Sequence, residues 1–177
     1  MPKIPVGLGY KLAYKGAKLG LWKWGTTAKT GFFSLILHSL IFGPLGVAIV
    51  IATLFHELGH YLACKLLDVP ASPPVFLPLG GAFVQHGWTD PDKEVFIAAA
   101  GPFGGALAGI PLLVIYPKAA VWNGLIQLFN LLPIPPLDGS KVLRGLWMPS
   151  PTAWIGVATA VLAAALSLVG ILMGLHA

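Results

Sequence analysis

Charge is what this sequence has least of. Only 10% of its 177 residues are Asp, Glu, Lys or Arg, and 56% are hydrophobic. A soluble domain carries about a quarter charged residues. That shortfall, with a mean hydropathy of +0.83, excludes an ordinary soluble globule and favours an integral membrane protein of one domain. Cysteine is nearly absent as well. With Cys64 alone, no intrachain disulfide can form. A secretory signal peptide is not expected, because the basic start is too long and no short apolar region ends in a small-residue cleavage site. No repeat or low-complexity segment is visible. The net charge is +5, but the positive residues are unevenly placed. Lys3, Lys11, Lys15, Lys18, Lys23 and Lys29 all precede residue 30. A nucleic-acid site would need a basic face on a folded domain, so no nucleic-acid partner is expected. Lysines leading into an apolar run instead fit a cytoplasmic flank at a cell membrane, plasma or inner, with the N-terminus cytoplasmic.

What is abundant is apolar sequence, broken at informative places. Residues 1–30 read as a basic interfacial segment. Within it, residues 8–24 place Tyr10, Tyr14, Ala17, Leu21 and Trp24 at helical steps beside a lysine face, which suits the headgroup layer. Residues 31–177 read as one transmembrane domain. The run 31–67 would be roughly 55 Å long as one helix, against a hydrocarbon core of about 30 Å. Gly43-Pro44 is the natural break, giving spans at about 28–43 and 45–67. Residues 68–93 are rich in Pro and Gly, and "VFLPL" and "AFVQH" flank Gly80-Gly81 as a hairpin with a two-residue turn would. Pro78 would confine its strand to an edge. A third span covers about 94–116. Residues 119–132 are too short to cross alone and run into "LLPIPPLDG", a helix broken at membrane depth. Such breaks occur where protein or a cavity surrounds them. A last span covers about 152–175. The expected fold is an all-α polytopic membrane protein with four to five transmembrane segments and a small membrane-associated β-hairpin. Five crossings would put the N-terminal lysines, the hairpin and Lys141 with Arg144 on one side; a single crossing over 31–67 would separate them.

Polar side chains inside these runs are costly, at about 2–3 kcal/mol or more for each ionisable group. "HELGH" at 56–60 is therefore functional by default. On a helix His56 and His60 project from one face, a turn apart, as two ligands of one zinc ion. Glu57 lies beside them and can reach a metal-bound water as general base. Satisfied polar contacts between helices are the bland alternative. A third ligand is needed, with one position left for water. Candidates are His38, Cys64, His86, Asp138 and His176. Cys64 lies one further turn along the same face, although a buried Cys is more commonly a small hydrophobe. His38 is most simply a polar contact between helices, and His176 a terminal residue. Asp138 follows a break in an apolar segment, where it needs a cation or several donors. It could equally cap a helix starting near Ser140.

"HELGH" together with "NLLPIPPLDG" at 130–139 resembles the site-2 protease family of intramembrane zinc metalloproteases. "LPLGGAFV" at 77–84 is similar to that family's membrane-associated β-hairpin, and "AGPFGG" at 100–105 to its Ala-Gly-Pro segment. The resemblance covers about residues 45–145, with no inserted PDZ or CBS domain. It implies His56, His60 and Asp138 as ligands of one Zn2+, Glu57 as general base, and Asn130 as a contact to substrate or oxyanion. Gly80, Gly81 and Phe83 of the hairpin are implied to bind substrate. One departure is Gly105, where the family often has Asn. The expected activity is hydrolysis of peptide bonds in membrane-anchored protein substrates, within or near the lipid bilayer, with room for a regulatory membrane partner. Two other readings stand beside it. One is a non-catalytic subunit of a membrane complex that keeps a structural metal site. The other is a metal-ion transporter, disfavoured by the scarcity of other acidic groups in the spans.

Overall fold

A computed structural model of the chain describes residues 20–79 and 81–177. Most of the 8–24 segment, and Gly80, lie outside these. The described elements are α1 (Gly20–Phe42), α2 (Pro44–Leu66), β1 (Val75–Phe76), β2 (Ala82–Phe83), α3 (Pro91–Ile115), α4 (Pro117–Asn130), α5 (Asp138–Gly145) and α6 (Pro151–His176).

The run that was too long for one crossing breaks at Gly43, whose φ of 59° no helix interior adopts, and Pro44 opens the next helix. α1 and α2 form an antiparallel pair. Trp24 meets Tyr61 edge-on at 5.6 Å, and near the turn Gly46 lies against the His38 carbonyl, where a Cβ would not fit. Three helices among the described residues are long and apolar enough to cross a membrane: α2, α3 and α6. The remaining expected segments are α1, whose first half is diluted by Lys and Thr, and α4, with only 14 residues.

Side-chain size is sorted opposite to a soluble core. Ala, Gly, Ser and amide side chains fill the interior, including Ala52, Ala99, Ala163, Ser167 and Gln127. Large apolar residues face outward. On α2, Ile51, Phe55, Leu62 and Leu66 form an exposed stripe. In lipid, leucine gains nothing by hiding, whereas small residues let helices approach closely. Pro102 and Pro111 sit inside α3 without ending it.

One end of the bundle gathers the polar connections. Thr27 Oγ1 of α1 donates to the Pro74 carbonyl at 2.5 Å, and the Phe76 amide donates to Thr30 Oγ1 at 3.2 Å. Lys93 Nζ reaches the Leu67 carbonyl at 3.5 Å. Lys141 pairs with Glu94 at 2.8 Å, and Ser150 Oγ donates to Asp92 at 2.8 Å. The start of α1, the hairpin, α5 and the start of α6 therefore share one end, while the three candidate spans among the described residues are fewer than the four to five expected.

The hairpin differs from expectation at its turn. Val75 pairs with Phe83 and Phe76 with Ala82, so the loop runs over residues 77–81 rather than two residues. Pro78 has no N–H to give the ladder, and the strand stops short of it. The Leu77 amide closes the loop on the Gly81 carbonyl at 2.8 Å, with Leu79 at φ 56° and Gly81 at φ 81°. An isolated bridge between Ala71 and His86 extends the pairing.

Candidate metal centre

His56 and His60 face the bundle from α2 because the stripe of large residues takes the opposite, lipid-facing side. They lie 10 and 6 residues before the end of the helix at Leu66, hence roughly 9–15 Å below that end at 1.5 Å per residue. The third donor reaches this depth by an indirect route. α4 ends at Asn130, residues 131–137 turn without regular structure, and α5 begins at Asp138. Gly139 permits this docking, since a Cβ there would overlap the Leu131 carbonyl.

The three side chains converge. His56 Nε2 and His60 Nε2 are 3.1 Å apart. Each lies 3.3 Å from Asp138 Oδ2. A tetrahedral zinc ion with bonds of about 2.0–2.1 Å separates its ligands by about 3.4 Å. The triangle has that size. Glu57 is buried beside it, with a carboxylate oxygen within 4.8 Å of the imidazole nitrogens, and its carboxylate also accepts the Val84 backbone N–H.

The outer faces of both imidazoles are tied down. His60 Nδ1 bonds the Ile97 carbonyl at 2.8 Å, and His56 Nδ1 bonds Gln127 Oε1 at 2.7 Å. Both partners are acceptors, so each Nδ1 carries the proton and each Nε2 turns a lone pair inward. Two lone pairs and a carboxylate oxygen within 3.3 Å of one another require a cation or a proton among them. The donor set thus fits zinc. Close packing of α3 makes it possible. Gly101 faces the His60 ring, and any Cβ at that position would overlap the imidazole. The small-residue segment 100–105 therefore lets His60 lie flat on α3 and reach Ile97 one turn back.

Among the third-ligand candidates, Asp138 is the one brought to the two histidines. It is not a helix cap: Leu137 holds the cap position of α5, without a side-chain bond. Cys64 is fully buried in an apolar cluster with Ala63, Val69 and Ile97. His38 Nδ1 bonds the Ser34 carbonyl of its own helix at 2.9 Å, so that hydrogen bond lies within α1. His86 lies 3.6 Å from Glu94, and His176 ends α6. Asn130 sits at the end of α4 with Nδ2 donated to the Ile126 carbonyl at 2.9 Å. Phe83 and Gly81 lie in the hairpin next to Val84.

Sequence reasoning missed two residues. Gln127 is fully buried and Asn123 nearly so. Gln127 Nε2 donates to Asn123 Oδ1 at 3.1 Å, and Asn123 Nδ2 donates to the Gly105 carbonyl at 2.9 Å. Their i, i+4 spacing in an apolar segment was the available signal. The departure at Gly105 also has a physical counterpart, because the Gln127 carboxamide fills the space where a residue-105 side chain would start.

The profile described as peptidase family M50 matches residues 44–121, which carry the histidine pair and all of α3. Over that stretch the chain is similar to peptidase family M50, in line with its resemblance to the site-2 proteases. Among curated relatives, a zinc metalloprotease of Methanocaldococcus jannaschii is 28% identical over 126 residues, covering 64% of this chain and 37% of the relative. Rip3 of Mycobacterium tuberculosis, assigned by name to the zinc metalloproteases, is 32% identical over 162 residues, covering 80% of this chain and 41% of Rip3. The chloroplast protein EGY1 of Arabidopsis thaliana, likewise so named, is 37% identical over 102 residues, half of this chain and 18% of its own length. The chain thus spans less than half the length of each of these three relatives. No solved structure matches it.

Proposed function

We propose that this chain is an intramembrane zinc metalloendopeptidase that hydrolyses peptide bonds of membrane-anchored proteins within or near the bilayer. The observation that carries this reading is the triangle of His56, His60 and Asp138 donors, with Glu57 beside it, inside an apolar helix bundle. One zinc ion would be held by those three residues, leaving a fourth position open. When bound, zinc lowers the pKa of its water toward about 7 and polarises a scissile carbonyl. Glu57 then takes the proton of the attacking water and returns it to the leaving amine. The Ile97 carbonyl and Gln127 hold each Nδ1–H and so keep the Nε2 atoms aimed inward.

A helical substrate must unwind before its backbone can be attacked, and the edge of β2 suits the unwound segment. Gly81 and Gln85 turn their carbonyls toward the β1 side, to Leu77 and Ser72. Ala82 and Val84 therefore present their backbone groups on the other edge, and the Val84 N–H already bonds Glu57. A substrate added as a strand there would run past the metal. Gly80, Gly81 and Phe83 would contact it from the hairpin. For Asn130 to meet the substrate or a developing oxyanion, it would exchange its bond to Ile126. The lysines at the α1 end support a cytoplasmic location for that end and the hairpin, at a cell membrane.

The test is cleavage of a membrane-anchored protein in liposomes by the zinc-loaded chain. Glu57→Gln is expected to keep the metal and to lose cleavage by at least about a thousandfold, general-base loss being worth 10²–10⁴. Undiminished cleavage by that variant would overturn the reading.

A further inference from the structure

The polarity of one hydrogen-bond chain can be followed from helix to helix. The Gly105 carbonyl can only accept, so Asn123 must offer it Nδ2. Asn123 Oδ1 then faces Gln127 and can only accept, so Gln127 must offer Nε2. That leaves Gln127 Oε1 facing His56 Nδ1 at 2.7 Å, where an acceptor demands a proton on Nδ1. The lone pair of His56 must therefore sit on Nε2, which points at His60 Nε2 and Asp138 Oδ2. A backbone carbonyl on α3 thus sets the tautomer of a candidate zinc ligand on α2, through two amides of α4. Nothing in this chain is free to turn. Gln127 is wholly buried, and reversing either amide would set like groups against each other.

Space is matched to polarity. An added Cβ at position 105 would fall within the Gln127 carboxamide itself, on its Cδ, Nε2 and Oε1. Glycine at 105 is thus the room in which Gln127 reaches His56.

We propose that Gln127 is a positioning residue that fixes the tautomer and direction of His56 for zinc, and that Gly105 is its required partner. This rests on the zinc reading of the site. Gln127 touches neither metal nor substrate; it acts through His56. Outer partners of metal-bound histidines are typically worth 10–100-fold in metal affinity.

The experiment measures zinc affinity of the full chain in detergent by competition with a chromophoric chelator, alongside thermal melting of the metal-free form. Gln127→Leu keeps the volume and removes the acceptor; it is expected to weaken zinc about 10–100-fold while the metal-free melt stays near wild type. Gln127→Glu keeps an acceptor and is expected to hold zinc at least ten times more tightly than Gln127→Leu. Gly105→Ala is expected to weaken zinc in the wild-type background and to add nothing once Gln127 is already Ala, because residues acting through one contact are not additive. Gln127→Leu binding zinc like wild type would overturn the proposal, as would full additivity of Gly105→Ala and Gln127→Ala. If Gln127→Leu does not fold, Gln127→Glu compared with Gln127→Ala decides, and equal loss in both overturns the proposal. A wild-type chain that binds no zinc overturns the metal reading first, and is told apart from these outcomes by that alone.

Discussion

His56 and His60 are held on both sides, and the backing is as specific as the front. His60 depends on α3 having no side chain at residue 101, because its ring occupies that volume and its Nδ1 reaches Ile97 across it. Gly101→Val should therefore displace the ring and lower zinc affinity at least about tenfold, comparable with losing an outer partner. Metal retained after dialysis against a chelator reads this directly. Gly25→Ala is the control, since that position on α1 is open. At the front, Asp138 brings the only carboxylate that meets both Nε2 atoms among the described residues. Asp138→Asn keeps the size and removes the charge, and should cost zinc affinity more than the 10–100-fold of an outer partner.

At the scale of elements, the hairpin is held by helix α1 along one edge and leaves the other facing Glu57. The hold consists of Thr27 to the Pro74 carbonyl and Thr30 from the Phe76 amide. Replacing both threonines by Val removes two bonds of about 1 kcal/mol each. Amide exchange in β1 should quicken, and cleavage should fall, while zinc affinity stays within about twofold, because neither threonine contacts the metal ligands. Much of this arrangement is legible in the sequence. Gly43-Pro44 breaks the helix because the chain chemistry allows little else, and the pairing of "HELGH" with "LDG" reflects the three donors a zinc site needs. The hairpin was legible and its turn was not: Gly80-Gly81 suggested two residues, but Pro78 withdraws a donor and the loop widens to 77–81. Gln127 was less legible for another reason. Its partner is 71 residues away, and a local pattern cannot say which of Asn123, Gln127 and Asn130 on α4 turns toward His56. Helical spacing pairs Asn123 with Gln127, whereas the motif drew attention to Asn130.

Across the whole molecule, the bilayer acts as the solvent that the composition implies. Large residues face outward, small ones let three helices pack, and all the acidic side chains among the described residues lie at the metal centre or at one end. This predicts a simple sidedness. Lys29→Cys and Lys141→Cys should react with a membrane-impermeant thiol reagent from the same face. Lys118→Cys, where α4 starts at the far end of α3, should react from the opposite face. Cys64 is fully buried and should leave the unaltered chain blank. Labelling of positions 29 and 141 from opposite faces would remove the arrangement in which α1 and α2 cross separately.

The central claim is a single zinc ion held by residues from two distant parts of the chain, with one position open for water. X-ray absorption at the zinc edge of the purified, zinc-loaded chain tests it most directly. The account predicts one zinc per chain, two imidazole nitrogens at about 2.0–2.1 Å, oxygen ligands completing the shell, and no sulfur. A sulfur at about 2.3 Å, implicating Cys64, or a shell with fewer than two imidazoles, would contradict it.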